Sequence, residues 1–338
     1  MRFLCWISFF AILISVVSCR HTDDAIDLPY EEKLPEGFPP IIYPEDNAPT
    51  VARIELGKML FYEPLFSRDN SISCASCHLP AYAFADTLAV SLGVEGRLGT
   101  RNSISLTNVA YQQRLLREGG VPSLEMQVLV PIQEHNEFNE NIIAIAEKLQ
   151  QIPEYVALSE KAYQRPLDAF VITRAIAAFE RTLISGNSPY DQYHFQGKTT
   201  AMSEAARRGE ALFFSDSLKC GNCHNGINFT NGQFENNGLY ESYTDEGLAR
   251  LTHQEGDVGK FKVASLRNLG YTAPYMFDGS LPDLAAVVAH YAQGGSQHAN
   301  KSGLLKGFSL SEAEKADLIT FLHSLDDADF VGNVDFLP

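Results

Sequence analysis

The sequence predicts a mainly α-helical protein assembled from two similar halves. Three observations predict it. Apolar residues recur at i, i+3, i+4 and i+7 along several stretches, the spacing of a helix that buries one face. No run alternates apolar and polar residues convincingly enough to read as a strand. One order of features, helix then short turn then Cys-x-x-Cys-His, occurs twice, ending at Cys74-Ala75-Ser76-Cys77-His78 and at Cys220-Gly221-Asn222-Cys223-His224.

The chain opens with a targeting segment, residues 1–18. Arg2 supplies a short positive region, and an apolar run follows from Phe3 to Val17, too short and wrongly flanked for a membrane span. It ends in Val16-Val17-Ser18-Cys19, which resembles a bacterial lipobox, so Cys19 is expected to carry lipid. Cleavage nearby by an ordinary signal peptidase is the alternative, and both readings place the protein outside the cytoplasm. Residues 19–47 are rich in Pro, Asp and Glu and read as a tether and extended arm. Thr50 to Phe61 has helical spacing and is expected beside the first motif. Between His78 and Asn141 lies a long stretch with little regular pattern. A loop of that length inside a domain is usually functional, here expected to cover the far side of the first motif. Asn141–Leu149 and Pro166–Ile184 read as helices, the second stopped by Gly186-Asn187-Ser188-Pro189. Gly197 to Thr200 reads as a linker. It separates an N-terminal domain, 48–196, from a C-terminal domain, 201–338, whose last helix is free to pack back on the first. In the second half, Ser203 starts a helix that runs to Phe214. Pro282 to Tyr291 is another, with Asp283 at its start. Ser311 to Leu325 is the last, opened by the capping box Ser311-Glu312-Ala313-Glu314.

The repeated motif fixes the chemistry. Two thiols three residues apart can each form a thioether to a haem vinyl group, and the imidazole that follows is held under the iron. A zinc knuckle or a redox dithiol explains one Cys-x-x-Cys but not two copies that each end in His. The cysteine count closes on this reading. Cys5 leaves with the signal, Cys19 takes lipid, and Cys74, Cys77, Cys220 and Cys223 take haem, leaving none for a disulfide. The expected fold is therefore mainly α, with two cytochrome c-type haem domains and long loops, carrying two covalently bound haem c groups. The formal net charge of −16 argues against nucleic acid, which needs a basic footprint. It suits either simple solubility or the steering of a basic electron carrier.

Six strings in order carry a resemblance: CASCH, GTRNSISLTN, PIQEHNEF, CGNCHNG, LRNLGYTAPYMFDGS and DLAAVVAHY. Together they resemble the bacterial di-haem cytochrome c peroxidase and MauG family, over about residues 45 to 330. The resemblance implies a peroxide-reacting haem on His78 and an electron-transfer haem on His224. It implies a calcium ion between the domains, held by the Asn102 side chain and the carbonyls of Thr272 and Pro274, an oxygen set that suits a hard cation. It places the catalytic carboxylate at Glu137, moving a proton from the near to the leaving oxygen of peroxide; Glu134 and His135 are the rivals within the motif. It makes Tyr291 the sixth ligand of the second haem, where peroxidases carry Met and MauG-like members Tyr, with His290 and Met276 as rivals. His21, His194, His253, His298 and His323 read as loop or surface residues.

Two departures from the family pattern bear on mechanism. Val94 stands where many peroxidases carry a His that closes the first iron when oxidised, so this haem is expected to be open without prior reduction. The string that carries an inter-haem Trp in the family reads Leu116-Arg117-Glu118-Gly119-Gly120, and the chain's one Trp is Trp6 in the signal. The reading is an exported di-haem peroxidase, lipid-anchored or soluble in the periplasm. It would reduce hydrogen peroxide with electrons from a small cytochrome c or cupredoxin and touch the membrane only through its lipid, and the resemblance makes a homodimer one expected state. The alternatives are a MauG-like enzyme that oxidises a residue of a partner protein, and a non-enzymatic electron-transfer protein.

Overall fold

Thr50 sits in extended backbone and its hydroxyl accepts a hydrogen bond from Arg53 N, which starts the first long helix, α1 (Val51–Phe61). The computed structural model describes residues 27–338; the signal segment, Cys19 and His21 lie outside the described residues. The helices that follow are α2 (Leu124–Gln127), α3 (Leu129–Gln133), α4 (Ile142–Leu149), α5 (Pro153–Tyr163), α6 (Ala169–Glu180), α7 (Pro189–His194), α8 (Glu204–Phe213), α9 (Ala249–Thr252), α10 (Leu284–Ala292), α11 (Glu312–His323) and α12 (Ala328–Val331). One two-stranded antiparallel ribbon, β1 (Phe234–Glu235) with β2 (Phe261–Lys262), is the only named sheet among the described residues.

The expected helices form, with ends set by their caps. Asn141, Asp168, Ser203, Asp283 and Ser311 each accept a bond from a backbone N–H of the first turn, and Ser311 and Glu314 form the reciprocal capping box. The stretch from Pro166 to Ile184 is shorter as a helix than its apolar pattern suggests: α6 begins only after the Asp168 cap. Helices α5 and α7 have no counterpart in the expectations. Pro153 and Pro189 each open one at the first position, where a missing N–H costs nothing.

Two cores result. In the first, α1 crosses α6 so closely that a Cβ on Gly57 would lie 1.8 Å from the Ala175 carbonyl oxygen and 2.9 Å from Phe179 Cβ. In the second, α8 crosses α11, and a Cβ on Gly209 would lie 2.0 Å from the Asp317 carbonyl oxygen and 2.8 Å from Phe321 Cβ. The same crossing, made by the same residue type, marks the two halves as copies of one unit. The loops repeat as well. Asn108 and Asn268 both take the left-handed conformation that Asn tolerates. The bridge pairing Leu115 with Val121 has its match in Tyr275 with Leu281.

The halves meet at these asparagines. Asn108 Nδ2 donates to the Ser185 carbonyl and to Asn228 Oδ1, both at 2.9 Å. Asn268 Nδ2 donates to Ser185 Oγ at 3.1 Å and to Thr107 Oγ1 at 3.2 Å. After α11 the chain returns to the first core, where Phe330 and Phe336 pack on Phe84. The arm reaches the first core too: buried Asn47 donates to Glu125 Oε1 and the Arg174 carbonyl, both at 2.9 Å.

Candidate active site

The two Cys-x-x-Cys-His motifs each form one 3₁₀ turn, Cys74–Ser76 and Cys220–Asn222, closed by a bond from the second Cys N–H to the first Cys carbonyl. All four cysteines are unpaired. His78 Nδ1 lies 2.9 Å from the Phe84 carbonyl oxygen, and His224 Nδ1 lies 2.9 Å from the Phe229 carbonyl oxygen. A carbonyl can only accept, so each Nδ1 carries the proton and each Nε2 presents a lone pair. That is how a metal-binding imidazole is oriented by its outer partner. Burial pushes both imidazoles below their ordinary pKa, which keeps them neutral as ligation requires. Phe84 and Phe229, which supply the carbonyls, both adopt positive φ (57° and 50°). The strain follows from turning the carbonyl back toward the ring.

A cavity of about 300 Å³ opens over the first motif. Cys74, Cys77 and His78 line it, together with Gln127, Glu134, Glu137 and Glu180. Its lining holds no Met, no Tyr and no imidazole other than His78. Val94 is fully buried and is not part of the lining.

Glu137 is held by its backbone. Its N–H donates to the Glu134 carbonyl at 3.0 Å, and its own carbonyl accepts from Val94 N at 2.9 Å. Gly93 lets these segments touch: a Cβ there would lie 1.9 Å from the Asn136 carbonyl oxygen. The next residue, Phe138, is buried against Phe66. The Glu137 backbone is thus held at the cavity wall, and its exposed side chain lines the cavity. Its surroundings exclude enough water, with Glu134 adding repulsion, to push the pKa up to about 7. His135 is exposed outside the lining, where Arg97 Nη1 donates to its carbonyl at 2.8 Å.

Glu180, at the end of α6, escaped the sequence reading. It is 5% exposed, lines the cavity, and its Oε2 has no hydrogen-bond partner among the described residues. Burial pushes its pKa up to about 8, because the neighbouring Arg181 is already balanced by Glu125 at 2.6 and 3.1 Å. The signal that could have found it is the duplication. Gly57 meets Phe179 and Gly209 meets Phe321, so Glu180 corresponds to Leu322. A buried carboxyl stands in the first unit where the second has an apolar side chain. An orphaned polar atom in a cavity with two thiols and an oriented imidazole fits a haem seated there.

On the second motif, Phe213 packs beside His224, with ring centroids 6.5 Å apart. Tyr291, on α10, is half-buried near Cys220 and Cys223. Burial raises its hydroxyl pKa, a hydrogen bond from Asn237 opposes this, and the two thiols add to the rise. Its rivals are tied elsewhere. His290 Nε2 is 3.0 Å from the Asn237 carbonyl oxygen, and Met276 Sδ accepts from Asn237 Nδ2 at 3.2 Å.

Of the three expected calcium donors, two present free oxygens and one does not. The carbonyls of Thr272 and Pro274 accept no hydrogen bond among the described residues. Asn102, however, is occupied. Arg117 Nη2 donates to Asn102 Oδ1 at 2.9 Å and to the Asn102 carbonyl at 2.8 Å, and Arg117 Nε donates to the same carbonyl at 3.0 Å.

Two attachment turns, each with an oriented imidazole, define a protein built to hold two c-type haems. The chain belongs to the di-haem cytochrome c peroxidase family. The profile described as "Di-haem cytochrome c peroxidase" matches residues 51–200. Over most of its length the chain is 35% identical to the methylamine utilization protein MauG of Methylorubrum extorquens, covering 86% of this chain and 82% of that one. It is 31% identical to the cytochrome c551 peroxidase of Pseudomonas aeruginosa, over 80% and 78%. A solved MauG-like protein associated with microbial copper homeostasis superposes with a TM-score of 0.87 at 31% identity, covering 91% and 98%. As a member of this family the protein is an oxidoreductase with two c-type haems. No helix among the described residues is long and apolar enough to cross a membrane.

Proposed function

We propose that this protein reduces hydrogen peroxide to water at the haem on His78, with electrons that enter through the haem on His224. One observation carries the reading: the first cavity offers an oriented imidazole and carboxyl groups, and no second side chain of the kinds that usually close an iron. When bound, the haems supply the iron that takes peroxide and the path for two electrons. The chain supplies the protons. Glu137, as carboxylate, would take a proton from one peroxide oxygen and return it to the other, which leaves as water. Glu180, protonated at neutral pH, is a second proton reserve in the same cavity. Together with two electrons and two protons from the medium, one peroxide yields two waters. The donor is a small cytochrome c or cupredoxin, steered by the acidic surface. In this reading residues 48–196 form the reactive haem domain and 201–338 the electron-entry domain, and the protein works in the periplasm, tethered through Cys19.

The test is electron paramagnetic resonance of the ferric protein as isolated. A high-spin signal that is lost on adding peroxide is the expected result. Two low-spin signals, both indifferent to peroxide, would leave an electron carrier.

Tyr291 favours a second reading, a MauG-like enzyme that oxidises a residue of a partner protein. A phenolate beside the second iron stabilises the ferric state, whereas a thioether raises the potential. Tyr291→Met is therefore expected to raise the potential of the second haem and leave that of the first where it was. Potentiometric titration checks it, and an unchanged second haem would remove Tyr291 from the iron.

A further inference from the structure

We propose that the Arg117 guanidinium takes the place of the inter-domain calcium ion, so that this protein works without that metal. The proposal concerns the joint between the haem units and stands whether the oxidant acts on peroxide alone or on a partner protein.

Arg117 is built into the joint. Among the described residues its side chain is the one cation that engages Asn102, with both oxygens of that residue accepting from it. The Asn102 N–H is meanwhile held by the Phe277 carbonyl of the other half at 2.8 Å. Arg117's own carbonyl accepts from Lys262 N on β2 at 2.7 Å. The two residues are thus each tied to the second half through their backbones, and the guanidinium joins them to one another at that joint.

The charges around it leave no room for a second cation. Arg101 lies next to Arg117. Two of the nearby carboxylates are already taken by Arg101. It pairs with Glu118, and bidentately with Asp245, Nε to Oδ2 at 2.6 Å and Nη2 to Oδ1 at 2.9 Å. A hard dication within bonding reach of Asn102 Oδ1 would sit between two guanidinium groups, and the one further carboxylate acting on Arg117, Asp278, already accepts from Tyr240 and from Ser280 N. No group of three or more His, Cys, Asp or Glu side chains among the described residues could hold a metal instead.

Arg117 also retains a function that a bare ion would have. Its hydrogen bonds go to neutral oxygens, so it has no carboxylate of its own, and it lines the first haem cavity. Nη1 makes no hydrogen bond to the described residues. A haem brings two carboxylates to its site, and a guanidinium facing that site is a fitting partner for one of them. Asn102, Arg117 and a haem carboxylate would then form one connected link at the joint.

The experiment uses the full-length protein carrying both haems. After treatment with a chelator and desalting, metal analysis is expected to find no calcium above background. The absorption spectrum, the ferric resonance signals and the melting temperature are expected to be the same with chelator and with added calcium chloride. Retention of one calcium per chain, or a spectral change on chelation, would overturn the proposal. In Arg117→Met the site loses its cation, and titration with calcium chloride is expected to show one ion bound, with a melting temperature that rises on adding it. Arg117→Gln, which keeps a polar side chain, serves if the Met variant does not fold. If neither variant gains calcium, Arg117 is not what stands in for the ion and the idea fails.

Discussion

Replacing Glu137 by Gln is expected to cost peroxide turnover a factor of about 10² to 10⁴, the usual worth of a positioned acid–base group. Both haems should remain attached and the fold intact. Glu137 is placed by backbone bonds that Gln keeps, and its carboxyl makes no hydrogen bond to the described residues. The pH dependence separates a proton shuttle from a merely polar side chain. The base form is the active one, so kcat/KM should rise with pH through about 7 in the native protein. That limb should vanish in the Gln variant. Stability moves the other way. The folded-state pKa is raised above the ordinary 4.5, so between the two values the folded chain holds a proton that the unfolded chain has lost. The stabilising contribution of this group is therefore full below about 4.5 and falls away as pH rises toward 7. Steady-state peroxide consumption from pH 5 to 9 in both proteins tests the assignment. A Gln variant with native turnover would move the role to Glu134, the other carboxyl from this motif in the cavity lining.

The two attachment motifs were legible in the sequence because their chemistry depends on spacing within one turn. The capped helices were legible because Asn141, Asp283 and Ser311 act on backbone groups two or three residues away. Short-range causes leave short-range marks. Glu180 left none of its own: at the end of an apolar helix it reads as an ordinary polar terminus. Only the crossing of α1 over α6 turns it inward, and only the second copy, with Leu322, shows that the position is apolar by default. Arg117 was noticed for the Trp it replaces. Its grip on Asn102 spans a loop whose path the sequence does not dictate. Helix α7 was hidden for a related reason. Its opening residues, Ser188 and Pro189, look like the end of α6, and they are both a stop and a start.

That short helix carries the second large effect. Asp191 on α7 and Arg267 in the second unit are both completely buried, with Nη1 to Oδ2 and Nη2 to Oδ1 each at 2.8 Å. Asp191 Oδ2 also accepts from Ser188 N and Oγ, which opens α7, while Arg267 Nε donates to the Ile227 carbonyl at 2.5 Å. The guanidinium carbon lies 5.0 Å from the centre of the Phe38 ring, on the arm. Asp191→Ala leaves a guanidinium sealed from water with no counter-ion, and the expected loss of stability is about 3–5 kcal/mol. A loss of that size is a large share of what holds an ordinary domain folded. The pair itself need not be stabilising, since removing two charges from water is costly. The double variant Asp191→Leu with Arg267→Met is therefore expected to recover much of the loss. Urea unfolding of the native protein, Asp191→Leu, Arg267→Met and the double variant measures the coupling between the two residues. Equal destabilisation in the single and double variants would show that the side chains matter for shape and not for charge. Because α7 packs on the second core through Tyr190 and Tyr193 and follows Ser185, where the halves meet, loosening it should also slow electron passage from the second haem to the first. Stopped-flow reduction at a denaturant concentration where the Ala variant is still folded would reveal that slowing, and an unchanged rate would confine the pair to stability alone.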